Sequence, residues 1–167
     1  MKKVFIALLM NFVLATSFAQ ASDSAANLPV YLRFPNLPEF TIFQAPDSTA
    51  FTRDNLAKKK NTMFFIFSPE CSHCQHETEV MLEKIKEFKN TQIVMVTYLP
   101  FNEMMAFYHK YHINAYPQIV MGRDTKFFFP VFFKVQNFPS MYIYDKKGKF
   151  KQAFDGAVKI EDIIAAL

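Results

Sequence analysis

Glycine is scarce. The chain of 167 residues holds three, Gly122, Gly148 and Gly156. A phosphate-cradling loop, a dinucleotide fingerprint and the Gly-x-Ser-x-Gly elbow of serine hydrolases all need clustered glycines, so those chemistries are excluded. Cysteine occurs only as Cys71 and Cys74, too few for a disulfide framework. No concentrated basic stripe exists either. Lys58, Lys59 and Lys60, and later Lys146, Lys147 and Lys149, are short separate clusters that read as solvated turns, which argues against a nucleic-acid partner. Apolar side chains, by contrast, are abundant. Hydrophobic residues make up 51% against 20% charged, with 21 Phe, so a packed core is affordable and overall disorder is ruled out.

Residues 1–21 read as an export signal. Lys2 and Lys3 give a basic start, an apolar stretch follows, and Ala19 or Ala21 offers a small residue for cleavage. The uncharged run from Val4 to Ala19 contains Asn11 and falls short of the roughly 20 apolar residues of a spanning helix. Losing Lys2 and Lys3, and no acid, takes the formal net charge from +4 to +2. The expected mature protein has no stable membrane span and lies in a periplasmic or other extracytoplasmic compartment, where disulfides persist. Residues 22–37, punctuated by Pro29 and Pro35, read as a linker, and residues 38–167 as one domain.

Along that domain the apolar pattern alternates between strand and helix. Residues 40–43 suggest a first strand, and Thr52 can cap a short helix through Asn55, Leu56 and Ala57. Residues 62–67 are continuously apolar, as in a strand buried on both faces. From Cys71 onward the period changes: Cys74, Thr78, Met81, Leu82, Ile85 and Phe88 recur at three and four residues, predicting a helix to about Asn90. A second buried strand at residues 93–96 and a helix from Asn102 follow. Residues 119–121 suggest a short strand stopped at Gly122, and residues 127–135 are densely aromatic around Pro130. Residues 140–144, a turn at Asp145 to Gly148, and residues 149–154 read as a hairpin. Ile160, Ile163 and Ile164 give a closing helix. The order implies an α/β fold with a mixed central sheet.

Cys71 falls where a buried strand hands over to the first turn of a helix. Unpaired amides and the positive end of the helix dipole there favour a thiolate, so Cys71 is the expected nucleophile. Cys74, at i+3, shares its face and is near enough to form a disulfide with it. Attack by Cys71 on a substrate disulfide, followed by attack of Cys74 on the mixed disulfide, would complete a two-electron exchange without an organic cofactor. Glu70 beside Cys71 would oppose the thiolate, and a protonated His73 would support it, so electron flow in either direction is compatible with the pair.

Taken together, the strand ending at Phe67, Cys71-Ser72-His73-Cys74 opening a helix, and Phe138-Pro139-Ser140 ahead of a hairpin resemble the thioredoxin fold. Sixty-four residues lie between Cys74 and Pro139, and Glu77 stands three after Cys74. Both features are similar to the exported TlpA/ResA-like branch of the redoxin superfamily. The resemblance implies a three-layer α/β/α sandwich with an insert before a cis-proline at Pro139. It further implies that the Phe138 backbone pairs with substrate and that Glu77 tunes the cysteine pair. The activity it implies is thiol-disulfide exchange, as a reductant, with cysteine-containing exported clients and an upstream thiol-disulfide donor. Where that family has Trp before its first cysteine and Pro before its second, this chain has Glu70 and His73.

Two other readings draw on the same region. Cys71, Cys74 and His76, or His109 with His112 at i, i+3, sketch a zinc or copper site. The aromatic cluster at residues 127–133 is either core or an exposed face for a protein partner. Haem attachment is excluded because Gln75, not His, follows Cys74.

Overall fold

The computed structural model describes residues 28–167; the expected signal segment and the start of the linker lie outside the described residues. Seven strands form one mixed sheet in the order β2-β1-β5-β4-β3-β6-β7. They span Thr41–Gln44 (β1), Ala50–Thr52 (β2), Asn61–Ile66 (β3), Thr91–Thr97 (β4), Ile119–Arg123 (β5), Ser140–Tyr144 (β6) and Phe150–Asp155 (β7). β3, β4 and β5 run parallel, while β1, β2, β6 and β7 join antiparallel. The helices are α1 (Val30–Arg33), α2 (Ser72–Glu83), α3 (Phe101–Lys110), α4 (Phe128–Phe133) and α5 (Ile160–Ala166).

Alternation along the central strands sorts the apolar residues into two cores. Met63, Phe65 and Phe67 of the β3 segment, with Ile93 and Met95 of β4, join Met81 of α2, Phe107 of α3 and Ile163 of α5 on one face. Phe64, Ile66, Val94 and Val96 join Phe129 and Phe133 of α4 on the other. Each fully buried side chain of this size stabilises by about 1.5–3 kcal/mol. Helices therefore cover both faces, and the fold is the expected α/β/α sandwich.

Several local expectations are corrected. The helix after Cys71 does not run to Asn90: α2 ends at Glu83, and Ile85–Phe88 tighten into a 3₁₀ turn. At three residues per turn Ile85 and Phe88 eclipse, which puts Phe88 fully in the core. β5 runs through Gly122 rather than stopping there, because a Cβ at this position would lie 2.7 Å from Ile42 Cδ1; the glycine permits close strand packing. The helix expected after Thr52 is a single 3₁₀ turn, Arg53–Asn55, in which Asn55 Oδ1 accepts from the Thr52 N–H at 2.8 Å. Part of the stretch read as a linker is ordered: α1 places the Tyr31 ring 5.1 Å from both Tyr142 and Phe150. β2 carried no sequence signal that distinguished it.

The span between β4 and Pro139 holds α3, a 3₁₀ turn at Ile113–Ala115, β5 and α4. This is the expected insert, and β5 widens the sheet by pairing parallel to β4. The Phe138–Pro139 peptide bond is cis, as is Ala45–Pro46.

Candidate active site

The sheet register brings two distant segments together. β6 pairs antiparallel with β3, Ile66 opposite Ser140. The chain leaving β3 at Phe67 and the chain entering β6 at Pro139 thus meet at one end of the sheet. Phe67 continues the ladder by donating to the Val96 carbonyl at 3.0 Å, and Ser68-Pro69-Glu70 then turns the backbone into α2.

Cys71 is the N-cap of α2, with extended backbone angles of φ −73° and ψ 116°. Its Sγ accepts from the Cys74 N–H at 3.3 Å, using one of the amides a helix start leaves unpaired. The same sulfur lies 3.7 Å from the Phe138 carbonyl oxygen, to which the thiol donates. The turn is braced from both sides. The Cys71 N–H donates to the Ser68 carbonyl at 3.1 Å, and Gln75 Nε2 donates to the Pro69 carbonyl at 2.8 Å. Lys110 of α3 in turn donates to Gln75 Oε1 at 3.1 Å.

The two cysteines are unlike. Both are free thiols; Cys71 is partly exposed and Cys74 is fully buried. Burial first, then the hydrogen bond with Cys71, push the Cys74 thiol well above the ordinary thiol range. Thr78 Oγ1 donates to the Cys74 carbonyl at 2.8 Å, which fixes the first turn from within.

Glu77, on the same helix, is 4% exposed. Burial raises its carboxyl, while a hydrogen bond from the Val158 backbone and the charge of His76 pull the other way. It lines a cleft of about 570 Å³ between α2 and the segment leading into α5, together with His76, Val80 and Lys159. Glu77 is therefore a buried acid with a solvent-facing side. Glu70 and His73 are exposed, and their side chains make no hydrogen bond or ion pair with another described residue.

The metal alternative finds no convergence of ligands: among the described residues no group of three His, Cys, Asp or Glu side chains is placed to hold an ion. Cys74 is buried, whereas His76, His109 and His112 are all exposed. The aromatic cluster divides. Phe129 and Phe133 are core, while Phe127 and Val131 are exposed. Two contributors at this end were missed from sequence. Tyr98 packs its ring 6.1 Å from Phe138 and 4.9 Å from Phe127. Asp124, 2% exposed, accepts from the Lys126 N–H at 3.1 Å and the Phe129 N–H at 2.8 Å. An acid shortly before an aromatic helix start is a capping signal that could have pointed to Asp124. Tyr98 carries no such mark.

A mixed sheet of this order, a cysteine pair opening the helix after β3 and a cis-proline at the head of β6 define the thioredoxin-like fold. Solved structures share it. A secreted disulfide oxidoreductase from Mycobacterium tuberculosis, described as homologous to Escherichia coli DsbE, is 18% identical and superposes with a TM-score of 0.64 over 77% of this chain and 96% of its own. StoA from Bacillus subtilis is 12% identical, with a TM-score of 0.59 over 78% of this chain and 97% of its own. The peroxidoxin BcpB from Mycobacterium tuberculosis, also 12% identical, reaches 0.67 over 78% and 92%. No protein-family model and no curated protein matches the chain. At these identities the likeness is one of fold.

Proposed function

We propose that the protein is a thiol-disulfide oxidoreductase of the TlpA/ResA-like kind, acting outside the cytoplasm as a reductant of exported cysteine-containing proteins and recharged by an upstream thiol-disulfide donor. The observation that carries this reading is the asymmetry of the pair: a partly exposed sulfur at a helix start, 3.7 Å from the Phe138 carbonyl, with a buried partner one turn on. Cys71 as thiolate attacks one sulfur of a client disulfide; that bond breaks, a Cys71–client disulfide forms, and the other client sulfur leaves as thiolate and takes up a proton. Cys74 then loses its proton and attacks Cys71 Sγ, so the client departs as a second thiol and the Cys71–Cys74 disulfide remains. The client is reduced by two electrons and the protein is oxidised by two.

Cys74 is a poor nucleophile while buried and protonated, which favours a base at hand for the second step. Glu77 sits one turn further along α2, and burial raises its carboxyl above the ordinary range, which makes it a stronger proton acceptor than a free carboxylate. The cleft beside it supplies the way out. Phe138 and Pro139 offer backbone against which an extended client segment can lie, and the exposed side chains of His73 and Glu70, next to the pair in sequence, tune the approach.

Insulin reduction with dithiothreitol as terminal donor tests the reading. The purified protein should accelerate precipitation of the insulin B chain and Cys71→Ser should not. Equal rates for the two would refute it.

A further inference from the structure

Beside the reactive sulfur runs an apolar ledge. It begins at Phe138, whose carbonyl faces Cys71, passes through the partly buried ring of Tyr98, and ends on Phe127, 48% exposed. Val131, 68% exposed, follows one turn later. Phe127 carries two costs at once. Its large apolar ring faces solvent, and its backbone is left-handed at φ 55°, a region that residues with bulky side chains rarely adopt. The fold nevertheless holds it there. The two carboxylate oxygens of buried Asp124 grip the amides of Lys126 and Phe129 on either side, and the Asp124 N–H donates to the Thr97 carbonyl at 2.8 Å, tying the turn to the end of β4. A rigid mount for an exposed, strained aromatic is what a recognition element requires and what core packing does not.

We infer that Phe127, presented on this ledge with Tyr98 and Val131, is a specificity-determining residue that selects clients bearing a large apolar or aromatic side chain about three residues from the disulfide-bonded cysteine. The inference rests on the proposed exchange reaction and names its substrate class. The occupant follows from continuity: the ledge starts at the backbone that flanks the attacking sulfur, so whatever segment presents a disulfide to Cys71 must pass over it. The spacing follows from reach. Ring-centre steps of 6.1 and 4.9 Å, by way of Tyr98, set an upper reach from Phe138 to Phe127 of about three residues of extended chain at roughly 3.3 Å each. An aromatic side chain there would meet the Phe127 and Tyr98 rings in the tilted or edge-on contacts that aromatic groups favour.

The test uses the reduced protein in a single turnover, so no external reductant is needed. Synthetic peptides carry one cysteine in a disulfide with cysteamine, with Phe or Ser three residues to either side in turn. Each turnover converts the protein dithiol to its disulfide and releases peptide thiol and cysteamine. We expect the better Phe peptide to react about tenfold faster than its Ser counterpart, the factor one good aromatic contact supplies. Phe127→Asn should remove that preference without lowering the thermal midpoint, since asparagine tolerates the left-handed backbone. Reaction with oxidised glutathione should be unchanged. Val131→Ser, at an exposed position that cannot threaten the fold, should reduce the preference in part.

No preference in the native protein, or a preference that survives in both variants, would overturn the inference while leaving the exchange reading intact. So would a Phe127→Asn protein that loses self-association but keeps its peptide preference, because the ledge would then be a contact between copies. A native protein that fails to react even with glutathione disulfide would instead remove the exchange reading itself.

Discussion

Timed alkylation of the reduced protein reads the inequality of the two thiols directly. Iodoacetamide consumes thiolate, and a thiol of ordinary acidity, near 8.5, is ionised to about three per cent at pH 7. Every tenfold loss of acidity removes a further tenfold of that fraction. Cys74 loses acidity through burial, through its hydrogen bond with Cys71, and through any charge that Cys71 carries. Access adds to the difference. Cys74 is 0% exposed, so reagent reaches it only in opened molecules, and an opening that costs about 3 kcal/mol is present in roughly one molecule in a hundred or fewer. Cys71 needs no such opening. Mass mapping of tryptic peptides at pH 7 should therefore find Cys71 modified at least about a hundredfold faster than Cys74. The two rates should converge in strong urea, where environment is lost. Raising the pH should go on speeding Cys74 tenfold per unit past the point where an ordinary thiol levels off. A Cys74 rate within tenfold of Cys71 in the native protein would refute the division of roles between attacker and resolver.

Two further outcomes follow from the same packing. Because burial raises the Glu77 carboxyl, the folded chain binds that proton more tightly than the unfolded one. Its contribution to stability is full below the unfolded value near 4.3 and is lost as pH rises through the folded value. Glu77→Gln should accordingly exceed the native protein in urea stability at pH 8, by about 1.4 kcal/mol for each pKa unit of elevation, with the gap closing by pH 4; a less stable variant at pH 8 contradicts the account. At Gly122, alanine should cost about 1–3 kcal/mol by driving its Cβ into Ile42, whose Cδ1 lies 2.7 Å from the ideal position. Ile42→Val alone should cost about 1 kcal/mol, and the double variant should fall short of the sum by at least about 0.5 kcal/mol because the clashing methyl is gone. Strict additivity in urea titrations followed by circular dichroism would show that the two side chains do not collide.

The order of elements was largely legible because the central strands and the amphipathic face of α2 announce themselves by period. Residues 62–67 were read as a doubly buried strand, and β3 occupies Asn61–Ile66. The end of α2 was not legible, since Ile85 and Phe88 fit an α-helical face in sequence and reach the core by tightening instead. Gly122 looked like a stop because glycine usually ends strands; only the crowding by Ile42 from a strand some eighty residues earlier explains its place inside one. At the site, Cys71 and Cys74 were marked by their spacing and place in the pattern, Glu77, Phe138 and Pro139 came from family resemblance, and the contact of Cys71 with the Phe138 carbonyl emerged only from the structure. Tyr98 was invisible, because its role comes from neighbours that only the fold brings near, whereas Asp124 offered a local capping signal ahead of α4.

That register also sets a timetable. Cys71 and the Phe138 carbonyl are 67 positions apart, and they touch only after β6 has zipped onto the far side of β3. A chain made from its N-terminus presents its cysteine pair long before the strand that sets the Phe138 carbonyl beside Cys71. Until then the pair is present without the carbonyl that accepts from Cys71, so the surroundings of that sulfur are complete only once the chain has been made through Tyr144.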